Sequence, residues 1–317
     1  MISHQVVIVG GGPAGSACAR RLGEAGVDCL IVDKMDFPRQ KTCAGWLTPS
    51  VFKMLGVKPA DYPYDLTVFS RLLIYLKGFP IVRPGKQYAI RRLEFDGWLL
   101  DLSEADFIQH EVKEIQRTEK GFLLDGQIEA QVLVGAGGTH CPVARMFRED
   151  SGSRASNRIV ALESEYQIRW HDPLCRLWFL ENELPGYSWY VPKTGGYLNL
   201  GVGGNAAALK ETQLTIQDQW EYLVEKLQQS GLISEIPPDP RGYVYYLRGS
   251  ELNLSQKDLY LVGDAAGLAT RDMGEGIGPA IHSGMLAAEA IISGRPYQLN
   301  QVSQYSLLPP GLRWLVK

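Results

Sequence analysis

This sequence of 317 residues lacks several features that mark whole classes of protein. No apolar run approaches the roughly 18 residues of a membrane-spanning helix, and the chain enters its first apolar segment, QVVIVG, without the charged region of a secretion signal. Basic residues have no excess either, because 32 Lys and Arg face 35 Asp and Glu, for a net charge of −3. We therefore expect a cytoplasmic protein without an integral membrane segment or a nucleic-acid partner. Contact with the periphery of a membrane stays open.

Cysteine is sparse and irregularly spaced. The five cysteines are an odd number without any Cys-x-x-Cys pair, which argues against a disulfide framework and against a zinc site. The five histidines show no metal-ligand spacing. We expect reduced thiols and no metal. Hydrophobic residues, in contrast, make up 45% of the chain, enough for the core of one large domain or two associated ones.

The N-terminal segment has the pattern of a βαβ unit. HQVVIVG predicts a buried parallel strand, PAGSACARRLGEAG a helix and DCLIVDK a second strand. The first turn carries Gly-x-Gly-x-x-Gly at Gly10, Gly12 and Gly15, and Asp33 closes the second strand 23 positions after Gly10. This spacing allows a tight turn, a close approach of the backbone to a pyrophosphate and a carboxylate beside a ribose. The segment predicts a bound dinucleotide.

A second glycine-rich segment lies near the other end of the chain. LYLVGDAAG predicts a strand and a turn that presents Asp264, and GEGIGPAIHSGMLAAEAII predicts a helix that begins near Gly276. A long ligand held at its adenosine end by the first segment can reach the second with its other end. FAD has this form: Asp264 would bind the ribityl hydroxyls, and the helix start would favour negative charge on the reduced flavin.

These patterns predict an α/β protein. Its Rossmann-like FAD-binding domain, a glutathione reductase-like βαβ with a β-meander, would be interleaved with a sheet-rich α+β substrate domain. The meander has turns near residues 120–121 and 125–126, and an amphipathic helix is expected at 213–229 and a strand at 242–248. The expected bounds are 1–60, 88–155 and 250–295 for the FAD-binding domain, 61–87 and 156–249 for the substrate domain, and 296–317 for a short tail.

Six segments also resemble the geranylgeranyl reductase family of FAD-dependent oxidoreductases, within the p-hydroxybenzoate hydroxylase-like superfamily. They are GGGPAGSACARRL, PRQKTCAG, RRLEFDGWL, VLVGAGG, GYSWYVPKTGGYLNLGVG and VGDAAGLATRDMGEGIGPAI. The resemblance implies reduction of carbon–carbon double bonds in an isoprenoid or other apolar substrate, with electrons from NAD(P)H, ferredoxin or another donor. The implied cofactor-binding residues are Gly10, Gly12, Ala14, Gly15, Asp33, Arg92, Val112, Asp264, Gly276 and Ile277.

The same resemblance places a cysteine loop beside the flavin and makes Cys43 the candidate catalytic residue; simple packing of a small thiol is the alternative. Tyr187 and Trp189 alternate along one predicted strand, so they share a face that would line the substrate pocket or belong to an ordinary aromatic core. Gly137 stands where the family pattern has an aspartate, which puts direct reduction by NADPH in doubt.

Three functions are compatible with the sequence. The first is a flavin-dependent reductase of an apolar unsaturated substrate. The second is an aromatic monooxygenase or halogenase on the same fold, which would need oxygen. The third is a flavoprotein without catalysis that binds a lipid or a partner.

Overall fold

The computed structural model describes residues 1–147, 155–249 and 254–307. The strands in this part of the chain are β1 (Ile2–Val9), β2 (Cys29–Asp33), β3 (Trp46–Leu47), β4 (Thr67–Leu76), β5 (Phe79–Ala89), β6 (Asp106–Gln109), β7 (Ile115–Thr118), β8 (Gly121–Leu124), β9 (Ile128–Gly135), β10 (Arg158–Gln167), β11 (Cys175–Phe179), β12 (Gly186–Lys193), β13 (Tyr197–Asn205), β14 (Arg241–Tyr246), β15 (Ser255–Gln256) and β16 (Leu259–Leu261). The α-helices are α1 (Pro13–Glu24), α2 (Ser50–Met54), α3 (Arg92–Asp101), α4 (Ala206–Leu209), α5 (Ile216–Gln229), α6 (Gly263–Ala266) and α7 (Ile277–Ser293).

The first sheet confirms the predicted α/β fold. Its strands run in the order β15-β16-β9-β1-β2-β6, and the hydrogen-bonded pairs from β16 to β6 are all parallel. The predicted meander is present as the antiparallel strands β7, β8 and β9. Buried parallel strands need helices on their faces, and α1 packs there together with α7.

Helix α1 approaches β1 closely because Gly15 has no side chain. A Cβ at this position would lie 1.9 Å from the carbonyl oxygen of Gly10. The third glycine of the motif therefore sets the distance between the helix and the turn, as the spacing predicts.

The second sheet has the order β14-β10-β13-β12-β11-β4-β5-β3. Its neighbours are antiparallel except for β11 and β4, which are parallel. Helix α5 covers one face, where Trp220, Leu223 and Leu227 pack against Tyr190 and Leu200. The opposite face carries a second apolar cluster that includes Leu72, Leu177 and Trp189.

Two elements have other bounds in the structure than the sequence predicts. The helix expected at 213–229 begins at Ile216, because the Thr215 hydroxyl accepts a hydrogen bond from the backbone N–H of Asp218 and the Asp218 carboxylate accepts one from that of Thr215. The strand expected at 242–248 spans Arg241–Tyr246. The domain bounds remain a prediction, although β3 adds Trp46 and Leu47 to the second sheet. Across the described ranges, no helix has both the length and the apolar character that crossing a bilayer requires.

Candidate active site

One cavity of about 430 Å³ is lined by residues from both sheets. Its wall includes Gly12 and Asp33 from the first glycine-rich segment and Asp264 and Gly276 from the second. The two segments, which are more than 200 residues apart in sequence, thus meet around a single space, as one extended ligand requires. A cavity that joins a nucleotide cradle to a second cradle fits FAD.

The first end of the cavity is the N-terminus of α1. Gly12 is the N-cap residue and Pro13 follows it, so the helix begins with backbone groups open to a ligand. Asp33 accepts hydrogen bonds from the backbone N–H groups of Gly11, at 2.8 Å, and Met35, at 3.0 Å. Each carboxylate oxygen retains a lone pair, so the predicted bond to a ribose remains available. Ala14, the next predicted contact, also lines this end.

The second end is built around α6 and the N-terminus of α7. Asp264 accepts a hydrogen bond from the Tyr243 hydroxyl at 3.0 Å. Gly276 is the N-cap residue of α7, and Ile277 beside it lines the cavity. Glu275 also lies in this wall and accepts a hydrogen bond from the Gly278 N–H at 2.6 Å. Burial raises the pKa of the Glu275 carboxyl to about 7.

Arg92 lines the cavity between these ends and forms two hydrogen bonds to the buried Asp96, at 2.7 and 2.8 Å. Three predicted FAD contacts have other positions. Gly10 and Gly15 shape the turn behind the cavity, and Val112 packs in the core of the first sheet. Contacts of Gly10, Gly15 and Val112 with FAD therefore stay predictions.

The Cys43 loop crosses from the first sheet to the second. The backbone N–H of Cys43 donates to Glu163 Oε1 at 2.6 Å, and the carbonyl oxygen of Cys43 accepts from Asn199 Nδ2 at 3.4 Å. Gly45 has φ of +69°, and a Cβ there would lie 2.1 Å from the carbonyl oxygen of Ile90. The loop therefore holds Cys43 in the cavity wall, which also includes the more deeply buried Cys175.

The wall opposite the two glycine-rich segments belongs to the second sheet. The Tyr187 and Trp189 rings lie side by side, with centroids 5.7 Å apart, and both line the cavity; their contact with a substrate stays a prediction. Tyr187 donates from its hydroxyl to the carbonyl oxygen of Met273 at 2.6 Å, and Trp189 Nε1 donates to Asn199 Oδ1 at 2.7 Å. With their polar atoms bonded, the rings present apolar surface to the cavity.

Asn199 connects the two family motifs. It accepts from Trp189 and donates to the Cys43 carbonyl oxygen, and its amide also lies 3.5 Å from Glu165 Oε2. Glu165 is paired with the buried Lys193. The strand motif and the cysteine loop are thus held in one hydrogen-bond network, although about 150 residues separate them.

The ionisable groups of the cavity wall that sequence reasoning missed include Lys41, Glu163 and Glu275. Burial raises the pKa of the Glu163 carboxyl to about 7 and lowers the pKa of the Lys41 ammonium to about 8. Lys41 Nζ lies 3.1 Å from the centroid of the Tyr243 ring. A signal existed for Glu163, since IVALESEYQI places two acids two positions apart, on one face of an otherwise apolar strand.

Comparison with known proteins agrees with this geometry. Residues 3–58 match the family described as FAD binding domain. An uncharacterized protein of Methanosarcina barkeri is 30% identical over 313 residues, which cover 92% of this chain and 76% of that protein. Menaquinone reductase of Mycolicibacterium smegmatis is 28% identical over 320 residues, which cover 91% of this chain and 76% of that reductase. Digeranylgeranylglycerophospholipid reductase 2 of Methanopyrus kandleri is 28% identical over 311 residues, which cover 91% of this chain and 76% of that reductase.

Among solved structures, a geranylgeranyl bacteriochlorophyll reductase-like protein from Thermoplasma acidophilum superposes with a TM-score of 0.80 at 23% identity, covering 93% of this chain and 80% of that one. The triple mutant of the flavin-dependent brominase Bmp2 superposes with a TM-score of 0.73 at 18% identity, covering 93% of this chain and 82% of the brominase. The fold and the cavity define an FAD-dependent oxidoreductase. More narrowly, the chain belongs to the geranylgeranyl reductase family, as its motifs predict.

Proposed function

We propose that the protein reduces carbon–carbon double bonds of an isoprenoid chain or a similar apolar substrate. The observation that carries this proposal is the composition of the cavity wall on the second sheet. Leu72, Leu177 and Val191 line the cavity with the Tyr187 and Trp189 rings. Such a wall suits a hydrocarbon chain and excludes water. The names of two relatives, menaquinone reductase and digeranylgeranylglycerophospholipid reductase, support the same substrate class.

Reduction of an alkene requires a hydride on one carbon and a proton on its neighbour, and reduced FAD supplies the hydride when bound. We assign the proton to the Cys43 thiol, which lines the cavity. The Arg92 guanidinium interacts with this thiol and lines the same cavity. Glu163 fixes the loop through the Cys43 N–H and acts as a positioning residue.

The test is anaerobic turnover by the FAD-loaded protein. Dithionite reduces the flavin, so the identity of the natural electron donor does not enter. Geranylgeranyl diphosphate is then added, and flavin absorbance and product mass are followed. We expect reoxidation without oxygen and a product that has gained two hydrogens for each reduced bond. Reoxidation only with oxygen, giving an oxygenated or halogenated product, would establish the monooxygenase or halogenase alternative instead.

Two substitutions test the role of Cys43. Cys43→Ala removes the proton donor and should slow anaerobic reoxidation by about 10²-fold or more, the scale of a lost general acid. Cys43→Ser keeps a weaker acid of similar size and should retain part of the rate. Cys175→Ala is the matched control, because Cys175 lies in the wall of the same cavity. Equal rates for wild type and Cys43→Ala would leave Cys43 as a packing residue.

A further inference from the structure

The hairpin of β4 and β5 leaves large apolar side chains in solvent. Phe79 is 76% exposed and Ile81 48% on one face of β5, and Val82 is 58% exposed on the other face. These residues follow the turn at Lys77 and Gly78, where both φ angles are positive, as in the two-residue turns of tight hairpins. A cluster of this kind at the end of a hairpin marks an interaction surface.

The exposed residues continue the apolar wall of the cavity. Strand registers place residues in rows across the sheet, and opposite residues share a face. One row runs Trp189, Leu177, Ile74, Ile81, and the next runs Tyr187, Phe179, Leu76, Phe79. Trp189, Leu177 and Tyr187 line the cavity, whereas Ile81, Leu76 and Phe79 are exposed. Both rows therefore consist of apolar or aromatic residues from the cavity wall to the exposed hairpin.

The charge of the hairpin identifies what it contacts. Residues 67–89 contain four basic residues and no acidic one, although the whole chain has a net charge of −3. The basic residues are Arg71, Lys77, Arg83 and Lys86. Apolar side chains among cations match the boundary between acyl chains and anionic headgroups, where aromatic rings are also favoured.

We propose that the β4–β5 hairpin docks the protein on a bilayer that carries anionic lipids. Phe79 and Ile81 would enter the acyl boundary, and the exposed Arg71, Lys77 and Lys86 would contact the headgroups. Arg83 donates instead to the carbonyl oxygen of Leu307. The apolar rows would then give a lipid chain a route from the bilayer to the cavity that avoids water. Docking does not depend on turnover, so this proposal and the proposed function can fail separately.

The test is co-sedimentation of the full-length, FAD-loaded protein with vesicles. We expect binding to vesicles of phosphatidylglycerol and phosphatidylcholine, weak binding to phosphatidylcholine alone, and release by high salt. Phe79→Ser should weaken binding to the anionic vesicles by about tenfold, and Lys77→Glu by about fivefold or more. FAD content and melting temperature should match the wild type, because both side chains lie in solvent.

Two control substitutions change similar side chains elsewhere. Ile236→Ser removes an apolar residue that is 78% exposed, and Lys113→Glu reverses a charge at a side chain that is 77% exposed. Both should bind vesicles as the wild type does. The proposal is overturned if the wild type does not sediment with anionic vesicles, or if the controls lose as much binding as the hairpin variants. It is also overturned if light scattering shows a dimer that Phe79→Ser dissociates, since a second copy would then cover the hairpin.

Discussion

The two sides of the cavity are built in different ways. On the side of the first sheet, the groups that suit FAD are backbone N–H groups and carboxylates of two short segments, each placed by its own strand, turn and helix. On the side of the second sheet, the wall consists of side chains from strands that are distant in sequence, joined by Asn199. A site made of backbone is sensitive to any added atom. A site made of side chains is sensitive to the loss of a particular group.

The largest effect is expected where backbone approaches backbone. Gly15→Ala places a methyl group 1.9 Å from the Gly10 carbonyl oxygen, so helix α1 must move away from the turn. We expect a colourless protein that is destabilised by on the order of 4 kcal/mol. Absorbance of the flavin and thermal unfolding measure the two effects.

Gly23→Ala is the matched control in the same helix, because its Cβ would lie 3.9 Å from the nearest backbone atom of Ser103. This variant should keep its FAD and gain up to about 1 kcal/mol, since alanine is the better helix former. A yellow, stable Gly15→Ala protein would show that the first side tolerates added atoms after all.

A smaller effect is expected at Glu163, on the second side. Burial raises the pKa of its carboxyl from the ordinary 4.5 to about 7, so between these values the folded protein holds a proton that the unfolded chain has lost. Stability of the FAD-free protein should therefore fall as the pH rises from 4.5 to 7, by about 3 kcal/mol from this group. Urea unfolding at several pH values measures the slope.

Glu163→Gln keeps an oxygen for the Cys43 N–H but has no proton to lose, so the fall in stability should shrink by about that amount. Glu129→Gln, on the exposed side of β9, should leave the profile unchanged. An unaltered profile in Glu163→Gln would mean that this carboxyl ionises as freely as in the unfolded chain.

The smallest effect is expected from one lost hydrogen bond. Trp189→Phe removes the donor to Asn199 Oδ1 and leaves that buried oxygen unbonded, at a cost of about 2 kcal/mol. Trp46→Phe is the control, because Trp46 lines the same cavity and its Nε1 has no partner among the described residues. Denaturant unfolding compares the two variants. Equal losses would show that Asn199 does not depend on the indole.

The difference between the two sides of the cavity also explains which site residues could be predicted from the sequence. The first glycine-rich segment is local, because 24 residues include Gly10, Gly12, Gly15 and Asp33. Their spacing alone therefore predicts the dinucleotide-binding segment. Cys43 could be chosen only through a family resemblance, because its partners Glu163 and Asn199 come from other strands. The α5 helix was predicted correctly, but its start depends on the Thr215 cap.

The sequence by itself determined the βαβ unit, the two glycine-rich segments and therefore FAD, because each depends on contacts between near neighbours in the chain. Only the tertiary structure decided which charges enter the cavity wall and which apolar residues stay in solvent. The two acids of β10 stand out in the sequence and β5 looks ordinary, but neither pattern tells that Glu163 is buried or that Phe79 is exposed. The fate of such side chains depends on which strand lies beside them and on what covers the sheet. Burial then raises the pKa of the Glu163 carboxyl, and exposure leaves the Phe79 ring available for the bilayer contact that we propose.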